Sequence, residues 1–312
     1  MICGGGPRGR RFAPMNSILS VAFDGIVYAS WLFLMSAGLT LIYGVMRILN
    51  VAHGSLYALG AYAACSLAGA WLTAGLPAAG SFAMLLAAAV LVGCVFGPLL
   101  ERGLLQWMYG KDEVVLVLIT YAVFLIMEDV IKLAWGVDSM LLPEPYALPG
   151  NFSLGGLAYP VYNLLIIAIA LVTGLALALV LYRTRRGKLL LAVIHDREIS
   201  MAMGIDVGRV YLVTFMLGAT LAALGGAFTA PTVAVTPGIG VEVIVLAFAV
   251  VVIGGLGSLG GAALGALLVG LVRSATVRYW PEAELFSIYA VMALVLIARP
   301  KGLFAAQEAR KI

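Results

Sequence analysis

Residues 238–272 read GIGVEVIVLAFAVVVIGGLGSLGGAALGALLVGLV, and within them Glu242 is the sole ionisable side chain. A helix crosses about 30 Å of hydrocarbon with roughly 20 apolar residues. This run is nearly twice that length, so it must turn back on itself. The turn falls in the cluster Gly254, Gly255, Gly257, Ser258, Gly260 and Gly261, because glycine takes up the unusual dihedrals of a tight turn without steric cost. Two membrane helices joined by a glycine hairpin are the expectation.

The rest of the chain is of the same kind. Of 312 residues, 63% are hydrophobic and 11% charged, with mean hydropathy +1.09, whereas soluble domains carry about 25% charged residues. A water-soluble, disordered or collagen-like chain is excluded. Three cysteines (Cys3, Cys65, Cys94) at unrelated spacings make neither a disulfide framework nor a metal knuckle. Further apolar stretches lie near 18–45, 51–76, 81–100, 114–135, 161–182, 210–235 and 285–299. They are long and continuous and lack the ten-residue alternation of a barrel. The fold class is therefore an all-α polytopic transmembrane bundle of eight or nine helices.

Short cytoplasmic loops hold the excess of Lys and Arg. Arg183, Arg185, Arg186, Lys188, Arg197 and Arg209 crowd one loop; Arg299, Lys301, Arg310 and Lys311 form a second group, Arg102 and Lys111 a third. All three face the cytoplasm if even numbers of helices separate them, as they do here. Residues 136–160, with Asp138 and Glu144 but no Lys or Arg, then lie outside. Three helices before Arg102 put residue 1 outside as well, although Arg8, Arg10 and Arg11 favour the inside. Either residues 1–14 are a mis-called or disordered extension ahead of Met15, or a helix is miscounted. The membrane domain is 15–304, followed by a cytoplasmic tail, 305–312.

Gly255-Leu256-Gly257-Ser258-Leu259-Gly260 matches the dinucleotide fingerprint G-x-G-x-x-G, but membrane-length helices on both flanks and no acidic residue downstream argue for a hairpin instead. No Walker A motif occurs. Small residues four apart recur (Gly218, Ala222, Gly226; Gly257, Gly261, Gly265; Ala262, Ala266, Gly270) and let helix backbones approach closely in lipid. Gly54-Ser55-Leu56 before Leu59-Gly60-Ala61 faintly repeats Gly257-Ser258-Leu259 before Leu264-Gly265-Ala266, and repeated halves are common in transport folds.

Ionisable residues inside the membrane are costly and mark function by default. Asp24, Glu128, Asp129, Lys132 and Glu242 are the candidates. Glu128 and Lys132 stand four apart and can pair on one helix face, either as an interfacial ion pair or on a translocation path. Asn50, His53 and Ser55 form a polar break between two apolar runs, read either as a helix cap and turn or as a substrate contact. In the 183–209 loop, Asp196 is a good N-cap and Gly204 a good C′ residue for a helix of about two turns, Arg197 to Met203. Such a helix is too short to span. It is either a docking knob for another protein or a solvated linker.

Gly38-Leu39-Thr40-Leu41-Ile42-Tyr43-Gly44-Val45-Met46, Asn50-Val51-Ala52-His53-Gly54, Asp196 through Gly204-Ile205, Gly254 through Gly261, and Pro300-Lys301-Gly302-Leu303-Phe304 occur in this order. Together they resemble the branched-chain amino acid ABC transporter permeases, most closely the Liv-type H-subunit branch, over residues 15–304. The resemblance implies an inner-membrane permease subunit of an ATP-driven importer in a bacterial cell. It implies a second permease subunit, in a heterodimer or else a homodimer, with two ATP-binding cassette subunits and an extracytoplasmic solute-binding protein as further partners. It also implies a small amino acid as substrate, no nucleic-acid partner and no cofactor of this chain's own, because ATP is bound by the ATPase subunits.

The ATPase-coupling helix of that family maps onto Asp196, Glu198, Ser200, Gly204 and Ile205, with Ser200 where the family usually has alanine. The translocation path is expected among Asn50, His53, Gly54, Ser55, Glu128, Gly255, Gly257 and Ser258, where broken helices would present their dipoles to a zwitterion. Related permeases carry urea, short amides or aromatic acids. An ion-coupled secondary carrier would need a relay of membrane carboxylates or histidines, and a membrane enzyme a nucleophile–base set. With 2 histidines, His53 and His195, the chain offers neither convincingly.

Overall fold

The computed structural model describes residues 14–154 and 157–304. The N-terminal extension and the C-terminal tail expected from the sequence, with Arg8, Arg10, Arg11, Arg310 and Lys311, lie outside the described residues.

Helices dominate: α1 (Pro14–Met46), α2 (His53–Thr73), α3 (Ser81–Gly103), α4 (Glu113–Trp135), a one-turn α5 (Glu144–Ala147), and a small antiparallel hairpin β1 (Asn151–Leu154) and β2 (Leu157–Pro160). Then follow α6 (Val161–Arg183), α7 (Arg185–His195), α8 (Arg197–Ala202), α9 (Val207–Thr229), α10 (Ile239–Gly254), α11 (Leu259–Tyr279) and α12 (Glu284–Ala298). Among the described residues, eight helical segments are long and apolar enough to cross a membrane, and α10, with 16 residues, falls short of that length. At about 1.5 Å per residue α10 spans about 24 Å. The expected count of eight or nine thus turns on this one helix, which is complete only by packing inside the bundle.

α9 is the hub: it packs along α1, α2 and α3, while α1 runs along α11. The close approach has a simple cause. A Cβ at Gly226 would strike the Tyr57 carbonyl, and one at Gly270 the Gly25 carbonyl, so the rows of small residues are the contact lines themselves. α6 and α12 lie at the edge and expose Leu171, Leu175, Leu179, Phe286, Leu294 and Ile297. In water this surface would aggregate. In lipid it is simply the face toward solvent.

The glycine hairpin forms where the sequence places it, with Gly255 at φ 102° and Gly257 at φ 82°. Ser258 caps α11, its Oγ accepting the Gly261 N–H at 3.1 Å. The chain returns there at its end: the Leu303 and Phe304 N–H groups donate to the Ile253 and Gly254 carbonyls at the C-terminus of α10, satisfying two of the acceptors that a helix end leaves open.

The described Lys and Arg groups of the three expected clusters share the end of the bundle formed by this hairpin, α7 and α8. The start of α1 lies at the other end, where Phe23 packs on Phe152 and Tyr159 of the β-hairpin, with ring centroids at 5.8 and 4.6 Å. Three crossings before Arg102 are thus borne out. Two details differ from the sequence reading. The basic loop holds a second helix, α7, amphipathic over Arg185–His195 and capped by Thr184, whose Oγ1 accepts the Gly187 N–H at 3.0 Å. The short α8 ends at Ala202, with Met203 as its C-cap.

Candidate functional site

Two helices begin inside the bundle and meet there. α1 continues for about two turns beyond Gly38, yet α2 starts level with it, because a Gly38 Cβ would touch the His53 ring. Residues 47–52 therefore climb back into the protein. Irregular backbone is tolerated at membrane depth only where protein groups satisfy it, and here they do. The Val51 N–H donates to Thr120 Oγ1 (3.3 Å), Thr120 Oγ1 donates to the Leu49 carbonyl (3.3 Å), and the His53 N–H donates to the Asn50 carbonyl (3.3 Å).

The start of α10 lies against the start of α2. A Cβ at Gly54 would come within 2.5 Å of the Gly240 carbonyl oxygen, and one at Gly240 within 2.7 Å of the Gly54 carbonyl oxygen. The Gly238 N–H, at the N-cap of α10, donates to the Glu128 carboxylate from α4. Ser55 Oγ donates to the Phe124 carbonyl at 3.3 Å, and the His53 imidazole Nε2 lies 3.1 Å from the Met35 carbonyl.

Asn50, His53, Ser55 and Glu128 are all buried, and several of their polar atoms have no partner among the described residues: both side-chain atoms of Asn50, His53 Nδ1 and Glu128 Oε2. Each such atom costs about 1–3 kcal/mol, so a cluster of them demands an explanation beyond packing. The expected pairing of Glu128 with Lys132 is corrected. Lys132 pairs with Asp129 at 3.4 Å on the exposed side, while Glu128 turns inward to cap α10. A carboxylate reaching an open helix N-terminus gains more than one facing a solvated lysine.

The remaining expected path residues lie elsewhere. Gly257 adjoins Gly44 at the basic end and lines a small cavity with Thr40, Leu181, Leu190 and Ile194; Gly255 and Ser258 flank it in the hairpin. The structure thus brings Asn50, His53, Gly54, Ser55 and Glu128 together and keeps Gly255, Gly257 and Ser258 apart from them.

Beside α10, a cavity of about 670 Å³ opens among α1, α2, α9, α10, α11 and α12. Its polar lining includes Tyr28, Thr232, Thr236, Glu242, Arg273 and Glu284; Ile239, Val243, Leu246 and Leu285 supply apolar wall. Arg273 pairs with Glu284 across α11 and α12, and its guanidinium lies 3.9 Å over the Tyr28 ring. Arg273 and Glu284 were not among the sequence candidates. The signal was present: Arg273 ends the long apolar run, and Glu284 opens the last helix.

At the basic end, Asp196 Oδ1 accepts the Ile199 N–H at 2.9 Å as the N-cap of α8. Gly204, at φ 80°, closes it: the Gly204 N–H donates to the Met201 carbonyl and the Ile205 N–H to the Ser200 carbonyl, both at 3.0 Å. This is the Schellman pattern, which needs a left-handed residue at that point. Ser200 is buried, its Oγ donating to the Asp196 carbonyl at 2.7 Å, and Glu198 is exposed in the first turn. The guanidinium of Arg197 lies 5.6 Å over Tyr211, Tyr211 stacks edge-on against Tyr109 (4.9 Å), and Tyr109 OH donates to buried Glu101 at 2.5 Å. Burial first, and Glu101 second, push the Tyr109 phenol well above its ordinary value. α8 is thus tied by an unbroken chain of side chains to the feet of α3 and α9.

The chain matches, over residues 21–298, the family described as branched-chain amino acid transport system / permease component. It is 27% identical over 297 residues to the high-affinity branched-chain amino acid transport system permease protein BraD of Pseudomonas aeruginosa, covering 93% of this chain and 96% of that one. It is 25% identical over 304 residues to LivH of Escherichia coli (94% and 97% covered), which carries the same description. A probable branched-chain amino acid transport permease protein, LivH of Methanocaldococcus jannaschii, is 28% identical over 295 residues, with 89% and 90% covered. The glycine-lined bundle, the paired helix starts and this match along nearly the whole chain lead to one statement: the chain is a multi-pass membrane protein of the branched-chain amino acid transport permease family.

Proposed function

We propose that this chain is the inner-membrane gate of an ATP-driven importer for branched-chain or related neutral amino acids, moved by separate ATPase subunits that grip α8. The observation that carries the coupling is the surface of α8. Ile199 and Met201 of α8 and Met203 at its C-cap are 59%, 47% and 78% exposed, outside the membrane-spanning segments, and an apolar patch in that position fits a protein partner. The exposed basic side chains on α7 around it match an acidic rim.

In this reading ATP closes the cassette dimer, the cassettes pull α8, and the chain Arg197–Tyr211–Tyr109–Glu101 passes the displacement to α9 and α3. α9 is the hub against which α1 and α2 pack, so its tilt changes the helix-start junction at His53, Gly54 and Gly240. There the open N-termini of α2 and α10, with the unpartnered atoms of Asn50, His53 and Glu128, present dipoles to the charged ends of an amino acid. A binding protein delivers the solute at the end opposite the basic loop.

The test is co-purification. Ile199→Asp with Met203→Asp is expected to abolish retention of the cassette subunits by the permease while membrane insertion is unchanged. Undiminished retention contradicts the docking role.

A further inference from the structure

Arg273 is a charge held at membrane depth, paired with Glu284 and stacked on Tyr28. It lies within the membrane-spanning part of α11, it is 30% exposed, and its partner Glu284 is 33% exposed, so both groups are neither fully solvated nor fully buried. Such residues inside a membrane face pathways and pair with one another. Both line the cavity of about 670 Å³ beside α10, a size within the roughly 300–1,000 Å³ of small-molecule sites.

Glu242 lines the same cavity from the first turn of α10 and has no hydrogen-bond or ion-pair partner among the described residues. The cavity therefore holds one cation and two carboxylates, and of the three Glu242 alone has no charged partner. The Arg273 guanidinium fork is engaged on one side by Glu284 and on one face by Tyr28, and keeps further donors for a carboxylate. Apolar wall from Ile239, Val243 and Leu246 stands beside these charges. A free ammonium, a free carboxylate and an aliphatic group are what this arrangement lacks. Tyr57, one turn after His53, also lines it, so the cavity adjoins the helix-start junction.

We infer that this cavity receives a zwitterionic α-amino acid, Arg273 taking its carboxylate and Glu242 its ammonium, with Glu284 and Tyr28 positioning Arg273 and the α10 aliphatic residues holding the side chain. This rests on the transport reading above and adds to it a second binding position beside the helix-start junction, where charged side chains rather than helix dipoles hold the solute. A cationic amide meets the guanidinium, and a deaminated acid leaves Glu242 unpaired; each loses one of the two charge contacts.

The test uses the whole assembly in proteoliposomes, with L-leucine as probe. Failure of the unaltered assembly to take up leucine overturns the transport reading itself, before any variant is made. Given uptake, Glu242→Gln and Arg273→Gln are each expected to lower it about tenfold or more, an energy of about 1.4 kcal/mol or more. Retention of the cassette subunits by the permease should be unchanged, as it would not be in a variant damaged in folding or docking. The exchange Arg273→Glu with Glu284→Arg restores an ion pair but should not restore uptake. Uptake within about twofold of the unaltered assembly in the single variants, or its recovery in the exchange, overturns the inference. A second measurement needs no charge removed. In a chain freed of its native cysteines, Val245→Cys at the cavity wall should react with a maleimide several-fold more slowly in excess L-leucine, but not in leucinamide or 4-methylpentanoate. Equal rates with and without leucine overturn the assignment.

Discussion

The Glu128 carboxylate of α4 accepts the N–H of Gly238, 110 residues further along the chain, and so caps α10 from outside. In a capping box the acid belongs to the same helix; here it ties two helices together where one of them starts inside the membrane. Glu128→Gln keeps an acceptor oxygen and should lower thermal stability little. Glu128→Ala leaves the donor unmet and should cost about 1–3 kcal/mol, read as a lower melting temperature of the detergent-solubilised permease. Equal melting of the two variants would show that the carboxylate does not act as the cap.

The contact between Gly54 and Gly240 has no room for a methyl group on either side. Gly54→Ala or Gly240→Ala must part α2 from α10, and the expected loss is about 1–3 kcal/mol or more, as for overpacking in a core. Gly260→Ala is the control: nothing lies within 4 Å of its Cβ position, and within helix α11 alanine favours the fold by up to about 1 kcal/mol. Opposite signs of the two melting shifts are the expected result.

α8 is held by its ends. Asp196→Ala removes the oxygen that accepts the Ile199 N–H and should weaken the cap by about 0.5–2 kcal/mol, whereas Asp196→Asn keeps it. Gly204 sits at φ 80°, so Gly204→Val strains the turn that joins α8 to α9. Both Asp196→Ala and Gly204→Val should cut ATP-coupled uptake several-fold with the protein still inserted, and Asp196→Asn should not. Uptake in vesicles with matched permease content decides this.

Tyr109→Phe leaves buried Glu101 without its donor and should destabilise the chain by about 1–3 kcal/mol. The phenol is raised above its ordinary value of 10.0, so the fold favours the neutral form. Its contribution is complete below about pH 10 and declines only as pH climbs through the folded value. The melting difference between the two proteins should therefore stay constant from about pH 6 to about pH 9 and shrink only in stronger alkali.

Where the sequence was legible, a local rule decided the outcome. The apolar run around Glu242 had to turn at its glycines, Asp196 and Gly204 bracket a short helix by cap chemistry alone, and Asn50 with His53 marks a break because polar atoms interrupt two apolar runs. What stayed hidden depends on neighbours distant in sequence. Spacing of four offered Lys132 to Glu128, but the partner was Gly238. The level at which α2 starts is set by Met35 and Gly38 of α1, which no local pattern records. Arg273 and Glu284 belong to different helices, and only folding places both on one cavity wall. α7 was missed because its basic face resembles a solvated loop, while Leu190 and Val193 on its other face are buried.

The central claim is that this chain is a gate without a motor. Leucine uptake into vesicles should be measured with the complete assembly, with the assembly lacking residues 196–204, and with the permease subunits alone, each with and without ATP on the ATPase side. Uptake confined to the complete assembly with ATP is the predicted result. Leucine entry through the permease subunits alone, or entry that persists without nucleotide, would contradict it.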